Sequence, residues 1–137
     1  MLKGILLTAA AAVALAAAGS AVARSEATPT LNATVGPGFT ISLTQGGKKV
    51  TRLKAGTYRI VVSDRSSAHN FVLERERGGA FERTLTSVGF TGTKTVTVRL
   101  GNGSWKYYCE PHESVMHGAF TVGAGAATAA DDHGSDG

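Results

Sequence analysis

From position 108 to 118 the chain reads Tyr108-Cys109-Glu110-Pro111-His112-Glu113-Ser114-Val115-Met116-His117-Gly118. A thiol, an imidazole and a thioether fall between Cys109 and Met116, and Cys109 is the single cysteine of the chain. Soft thiolate and imidazole donors together select copper or zinc. Two imidazoles and one thiolate in a trigonal set, with a weak axial thioether, make a blue-copper electron-transfer site. Such a set needs a second histidine, and beyond His112 the chain offers His69, His117 and His133. His133 stands in the C-terminal tail and His117 adjoins Met116. His69 opens the strand-like run His69-Asn70-Phe71-Val72-Leu73 after the loop Asp64-Arg65-Ser66-Ser67, a place where a rigid sheet can hold a ligand. Taken singly, each residue has an ordinary explanation. A lone cysteine is often a small buried hydrophobe, a lone histidine a satisfied strand end, and a lone methionine core. Their joint spacing is what points to a metal. Pro111 fixes φ and offers no N–H, so it stiffens the short link between Cys109 and His112.

Rigid strands would have to carry these groups. Phe39–Leu43 alternates apolar and polar residues, as a half-buried strand does. Val50 and Leu53 mark a short strand, Tyr58–Ser63 places Tyr58, Ile60 and Val62 on one face, and His69–Leu73 reads as another strand. In Lys94–Leu100, Val96, Val98 and Leu100 face one way while Thr95, Thr97 and Arg99 face the other. Gly101-Asn102-Gly103 is a tight-turn signal, after which Ser104–Cys109 is expected to return antiparallel with Trp105, Tyr107 and Cys109 on one face. Ala119–Val122 is a last strand. No helical stripe stands out beyond the first residues. Short strands joined by glycine turns mean an all-β antiparallel sandwich or small barrel.

His69-Asn70-Phe71 followed by Tyr108-Cys109-x-Pro111-His112-x-x-x-Met116-x-Gly118-x-Phe120-x-Val122 resembles the cupredoxins, the plastocyanin/azurin-like blue copper proteins. The resemblance covers Thr40 to Val122. It implies a Greek-key β-sandwich with one type 1 copper ion at one end. His69, Cys109 and His112 would be the equatorial ligands and Met116 the axial one. Asn70 looks like the family's asparagine that follows the first histidine and ties the two ligand loops together. Plastocyanin-like loops place the methionine one residue later, a position held here by His117. An axial imidazole would be a harder donor and would lower the potential. The spacing His-x-x-x-Met and the Met-x-Gly exit favour Met116. The resemblance also implies an exposed edge of His112 in an apolar patch, serving as the electron port.

Composition bounds the rest. One domain is expected from 137 residues, and a hydrophobic share of 42% suffices for a core. A single cysteine excludes an intramolecular disulfide framework and a cysteine-rich zinc ribbon. Met1-Leu2-Lys3, the apolar run Ile5–Ala18 and the small-residue exit Ala21-Val22-Ala23 read as a signal peptide over 1–23. With no cysteine near the exit, a lipoprotein anchor is excluded. The expected layout is a signal peptide 1–23, a leader 24–31, a cupredoxin domain 32–123 and a disordered tail 124–137. The protein is then exported, periplasmic or extracellular, without stable membrane insertion. The net charge of +4 favours an acidic partner or membrane surface, though a surface charged for solubility accounts for it too. No basic run exceeds Lys48-Lys49, which argues against nucleic acid. Redox partner proteins and a monomeric state follow from the resemblance. Three strong ligands and an axial thioether leave no open position for substrate, so an electron carrier is expected rather than an enzyme. The alternative is an exported copper storage, delivery or sensing protein. Its exposed site would call for more methionine and histidine than the two methionines and four histidines present.

Overall fold

The computed structural model of the chain describes residues 12–14, 18–22 and 25–123. Most of the expected signal peptide and all of the expected tail lie outside the described residues. Ten strands follow in order: β1 (Thr30–Val35), β2 (Ile41–Gln45), β3 (Lys48–Lys49), β4 (Arg52–Leu53), β5 (Gly56–Asp64), β6 (Phe71–Arg77), β7 (Phe81–Thr86), β8 (Gly92–Leu100), β9 (Gly103–Tyr108) and β10 (His117–Val122). The one helical element among the described residues is a 3-10 turn, Glu110–His112.

The strands form two five-stranded sheets, β3-β2-β1-β5-β8 and β4-β10-β9-β6-β7. They face each other as an open sandwich, not a closed barrel. Most neighbours are antiparallel, as the strand pattern implied, but β1 pairs with β5 and β10 with β4 in parallel. Parallel neighbours need a connection that leaves the sheet and returns. Between β1 and β5 the chain passes through β2 and β3 of the same sheet and then β4 of the other before it returns, and from β4 to β10 it crosses between sheets several times.

Alternation puts the apolar set inward. Leu31, Ala33 and Val35 of β1, Tyr58, Ile60 and Val62 of β5, and Val96, Val98 and Leu100 of β8 are buried from one sheet. Phe71, Leu73, Leu85, Trp105, Tyr107, Phe120 and Val122 are buried from the other. Each such aliphatic side chain contributes about 1.5–3 kcal/mol by leaving water. Phe71 stacks on Tyr107 at 5.6 Å between ring centroids, and Trp105 on Phe120 at 6.2 Å. Cys109 and Met116 belong to this core.

Four expectations change. β8 and β9 are not a hairpin: β8 pairs with β5, while β9 lies between β6 and β10 in the other sheet. The apolar faces of both strands must meet across the sandwich, so Gly101-Asn102-Gly103 arches from one sheet to the other. Gly103 takes φ +151°, and a side chain there would run into the Arg77 backbone. β1 begins at Thr30, inside the expected leader, and β7 fills a stretch with no expected strand. In β7 only Leu85 and Thr86 are buried, so the sequence shows no alternating stripe. β6 starts at Phe71, leaving His69 and Asn70 in the preceding loop.

Candidate metal centre

The first ligand segment is the loop between β5 and β6. Asp64 ends β5, and one of its carboxylate oxygens accepts the Ser66 N–H at 3.2 Å, turning the chain. The Ser66 carbonyl then accepts the His69 N–H at 3.2 Å, and the Ser67 carbonyl accepts the Gly89 N–H at 2.9 Å. The loop is thereby held to itself and to the β7–β8 connection. His69 is 4% exposed.

The second segment runs from β9 to β10. Cys109 directly follows β9, with its side chain in the core. Pro111 lies in the 3-10 turn, and the Cys109 carbonyl accepts the His112 N–H at 3.2 Å. The His112 carbonyl accepts the Val115 and Met116 N–H groups at 3.1 and 2.9 Å. Finally, the Met116 carbonyl accepts the Cys109 N–H at 3.0 Å, closing the loop at its base. His112 is therefore carried on a small frame of backbone hydrogen bonds.

The two segments bring three donor atoms together. Nδ1 of His69 and Nδ1 of His112 are 3.0 Å apart, and Sγ of Cys109 lies 3.7 Å from each. Bonds of about 2.0 Å to nitrogen and about 2.3 Å to sulfur, spread trigonally, would put the two nitrogens about 3.5 Å apart and the sulfur about 3.7 Å from each. The sulfur–nitrogen separations match that span, and the two imidazoles need part by only about half an ångström. Two imidazole nitrogens and a sulfur aimed at one point repel unless a cation or shared proton lies between them. One thiolate with two imidazoles is a donor set that suits copper. Among the described residues this is the one group of three histidine, cysteine or carboxylate side chains placed to hold a metal.

Asn70 bridges the two segments. Its side-chain carbonyl accepts the Glu110 N–H at 2.8 Å, and its amide donates to the Glu110 carboxylate at 3.3 Å. Asn70 is 1% exposed while Glu110 stands at the surface, so the clasp is buried on its asparagine side. Met116 is fully buried in the core beside Cys109. His117 stands on the outer face of β10, exposed, and its Nδ1 is 2.8 Å from the Glu113 carbonyl. His133 lies outside the described residues.

Two participants carried no clear sequence signal. Phe39, expected to begin a strand, instead lies in the β1–β2 connection, with its ring 5.7 Å from His69 and 5.0 Å from His112. The preceding Gly36-Pro37-Gly38 is a turn-forming run, the one hint that the aromatic is lifted out of the sheet. Glu110, an unremarked position within Cys-x-Pro-His, is the partner of Asn70. Around Tyr108, Lys106 pairs with Glu113 at 2.5 Å and the tyrosine hydroxyl donates to Glu82 at 3.1 Å. Burial, followed by the Glu82 carboxylate, pushes the Tyr108 phenol up to about 12.

Comparison with known proteins agrees with this geometry. Solved structures of rusticyanin superpose with TM-scores of 0.53 and 0.51, at 17% and 21% identity. The first covers 72% of this chain and 80% of its own, and the second, from Thiobacillus ferrooxidans, 72% and 79%. An amicyanin variant aligns at 15% identity and TM-score 0.48 over 72% of this chain and 86% of its own. At such identities the likeness to the rusticyanins speaks for the fold. No curated protein sequence matches. The family of copper binding proteins, plastocyanin/azurin family, matches residues 39–123, a span that holds His69, Asn70, Cys109, His112 and Met116. With most of its length in that match and a histidine–cysteine–histidine cluster at one end of the sandwich, the chain belongs to the plastocyanin/azurin family of copper-binding proteins.

Proposed function

We propose that the chain carries single electrons through one type 1 copper ion held by His69, Cys109 and His112, with Met116 as the weak fourth donor. The observation that carries this is the convergence of one thiol and two imidazoles on one point from two separated segments. Bound there, copper supplies one-electron chemistry between its two oxidation states. The protein's part is to keep the donors still. The Asn70–Glu110 clasp, the closed backbone loop from Cys109 to Met116 and the turn anchoring His69 resist the ligand movements that a change of oxidation state favours. Met116 supports the axial role by its burial beside Cys109, whereas His117 is turned outward to the Glu113 carbonyl. His69 is enclosed, while His112 is half-buried beneath the exposed Phe39 and next to the exposed Val115. The His112 edge is thus the shortest way out for an electron, toward a redox partner protein that docks there.

The same reading makes the chain a carrier and not a catalyst, because four donors leave no position for substrate. The apolar segment and small-residue exit of 1–23 support export, with the domain working outside the cytoplasm as a monomer. Among the described residues no helix is long and apolar enough to cross a membrane.

The test is addition of Cu(II) to the purified protein while recording its visible spectrum. An intense band toward the red end, absent from Cys109→Ser, is the expected result. A colourless tight complex would favour copper storage or delivery, and a band that survives Cys109→Ser would remove the thiolate from the site.

A further inference from the structure

We propose that Phe39 is a positioning residue for the metal centre: its ring, presented from the β1–β2 connection, fixes the planes in which the His69 and His112 imidazoles stand. On the reading of His69 and His112 as copper ligands, on which this rests, the connection is a third support of the site that supplies no donor.

A histidine that holds a metal through one ring nitrogen is ordinarily oriented by a hydrogen bond from the other, to a carboxylate or a backbone carbonyl. In this chain the polar contacts of both rings run through Nδ1, to each other and to Sγ of Cys109. Among the described residues neither Nε2 reaches a carboxylate or carbonyl. Packing is left to set the ring planes. The Phe39 centroid is 5.7 Å from that of His69 and 5.0 Å from that of His112, and the two imidazoles are 4.8 Å apart. Each of the three rings thus packs against the other two. Phe39 meets His112 edge to face at 72° and His69 at 53°. Edge-to-face contact is attractive only over a limited range of orientations, so turning an imidazole about its own axis loses the phenyl ring. His112 depends on this contact more than His69, because it is half-buried while His69 is enclosed by the fold.

The connection is built to hold the ring there. The Gly36 N–H donates to the Thr40 carbonyl at 2.8 Å, and the Thr40 hydroxyl donates to the Pro37 carbonyl at 2.9 Å. A Cβ on Gly36 would come within 3.0 Å of Ser66 Cβ and 3.7 Å of His69 Cδ2, so this segment lies directly against the His69 loop. The Arg65 N–H donates to the Val35 carbonyl at 2.9 Å and ties the same two segments together. Phe39 itself is exposed and stands outside the core cluster. A ring left largely in water adds little to the fold by burial. What its placement secures is contact with the two ligand rings.

The experiment is NMR relaxation of the histidine ring Cε1–H groups in isotope-labelled, metal-free protein, for the parent, Phe39→Ala, Phe39→Tyr and Val115→Ala. In the parent the His112 ring is expected to be as ordered as that of His69. In Phe39→Ala its order parameter is expected to fall below about 0.6, the flexible range. Phe39→Tyr restores the order, and Val115→Ala, on the same rim, keeps it. All variants should melt close to the parent's temperature. With Cu(II) added, Phe39→Ala is expected to show a shifted visible band and to release copper to a chelator roughly two- to tenfold faster, the factor that one aromatic contact is worth. Unchanged His112 order in Phe39→Ala overturns the proposal. Equal loosening in Val115→Ala overturns it too, because any rim residue would then serve. A lowered melting temperature without loosening of the ring also overturns it, in favour of a purely structural role. A parent that takes up copper without a thiolate band removes the copper reading, while the ring order of the metal-free protein still decides the part played by Phe39.

Discussion

Among single residues, Asn70 does more than any group outside the donor set. It contributes no donor to the metal, yet both polar ends of its amide are engaged by Glu110 on the other ligand segment. Replacing it by alanine leaves the Glu110 N–H without its partner, at a cost of about 1–3 kcal/mol. The larger consequence is that His69 and Cys109 lose their common anchor. Asn70→Ala is expected to melt at lower temperature and to lose copper to a chelator faster than the parent, with a shifted visible spectrum. A chelator release rate equal to the parent's would show that the backbone frame alone holds the site. Tyr58, far from the site in the fold's other sheet, gives a pH prediction. Its burial raises the phenol above its ordinary value, and its hydroxyl donates to the Lys54 carbonyl at 2.7 Å. A raised folded-state value means the neutral phenol is favoured in the fold. That stabilisation is complete below the unfolded value of about 10 and is lost as pH rises beyond it. Stability measured by denaturant titration should fall above that pH, and Tyr58→Phe should fall less steeply.

The strands and loops decide how far these residues can be positioned, and β10 shows the tightest constraint. Gly118 sits where a side chain would overlap the ring and hydroxyl of Tyr107 on the paired strand β9. Tyr107 cannot yield easily, because it is buried and stacked on Phe71. Gly118→Ala is expected to destabilise by about 1–3 kcal/mol through overpacking. Because β10 begins directly after Met116, the strain reaches the ligand loop, so the visible band should shift as well as the melting temperature fall. An unshifted band with a lowered melting point would mean the loop is insulated from its strand. The same element shows why the site was legible and parts of the fold were not. Cys109, His112 and Met116 are local in sequence, and their spacing is dictated by one short loop, so the chemistry could be read directly. The alternation in β5, β8 and β9 was equally visible, because each has one clean apolar face. The partner of β9 was not visible, since a glycine turn looks the same whether it closes a hairpin or arches between sheets. β7, in which Phe81 and Leu85 pack inward but Arg83 between them is exposed, owes its strand to pairing with β6 and had no alternation of its own to show. Phe39 was misplaced into a strand for a related reason: alternation alone does not reveal that two glycines and a proline lift a residue out of the sheet.

At the scale of the whole molecule, the sandwich separates two kinds of surface. Among the described residues the end opposite the metal site carries the exposed Lys48, Arg52 and Lys54, whereas the metal end presents Phe39 and Val115, large apolar side chains 64% and 63% exposed. An apolar rim excludes water from a docked partner's contact and lets the His112 edge come close without desolvating a charge. Short contact matters more than tight binding for a carrier, which must leave after each transfer. Val115 lies three residues beyond His112 and donates its N–H to the His112 carbonyl, so its side chain can be changed without touching a donor atom. Val115→Asp places a carboxylate in that rim, and any partner would have to desolvate it. The expected outcome is slower electron exchange between oxidised and reduced protein, followed by NMR line broadening, with the visible band intact and the melting temperature close to the parent's. Val115→Leu, which keeps the rim apolar, should exchange at the parent's rate. Were Val115→Asp to exchange as fast as the parent, electrons would be leaving by some route other than the His112 edge, and the exposed Phe39–Val115 rim would have to be explained without electron transfer.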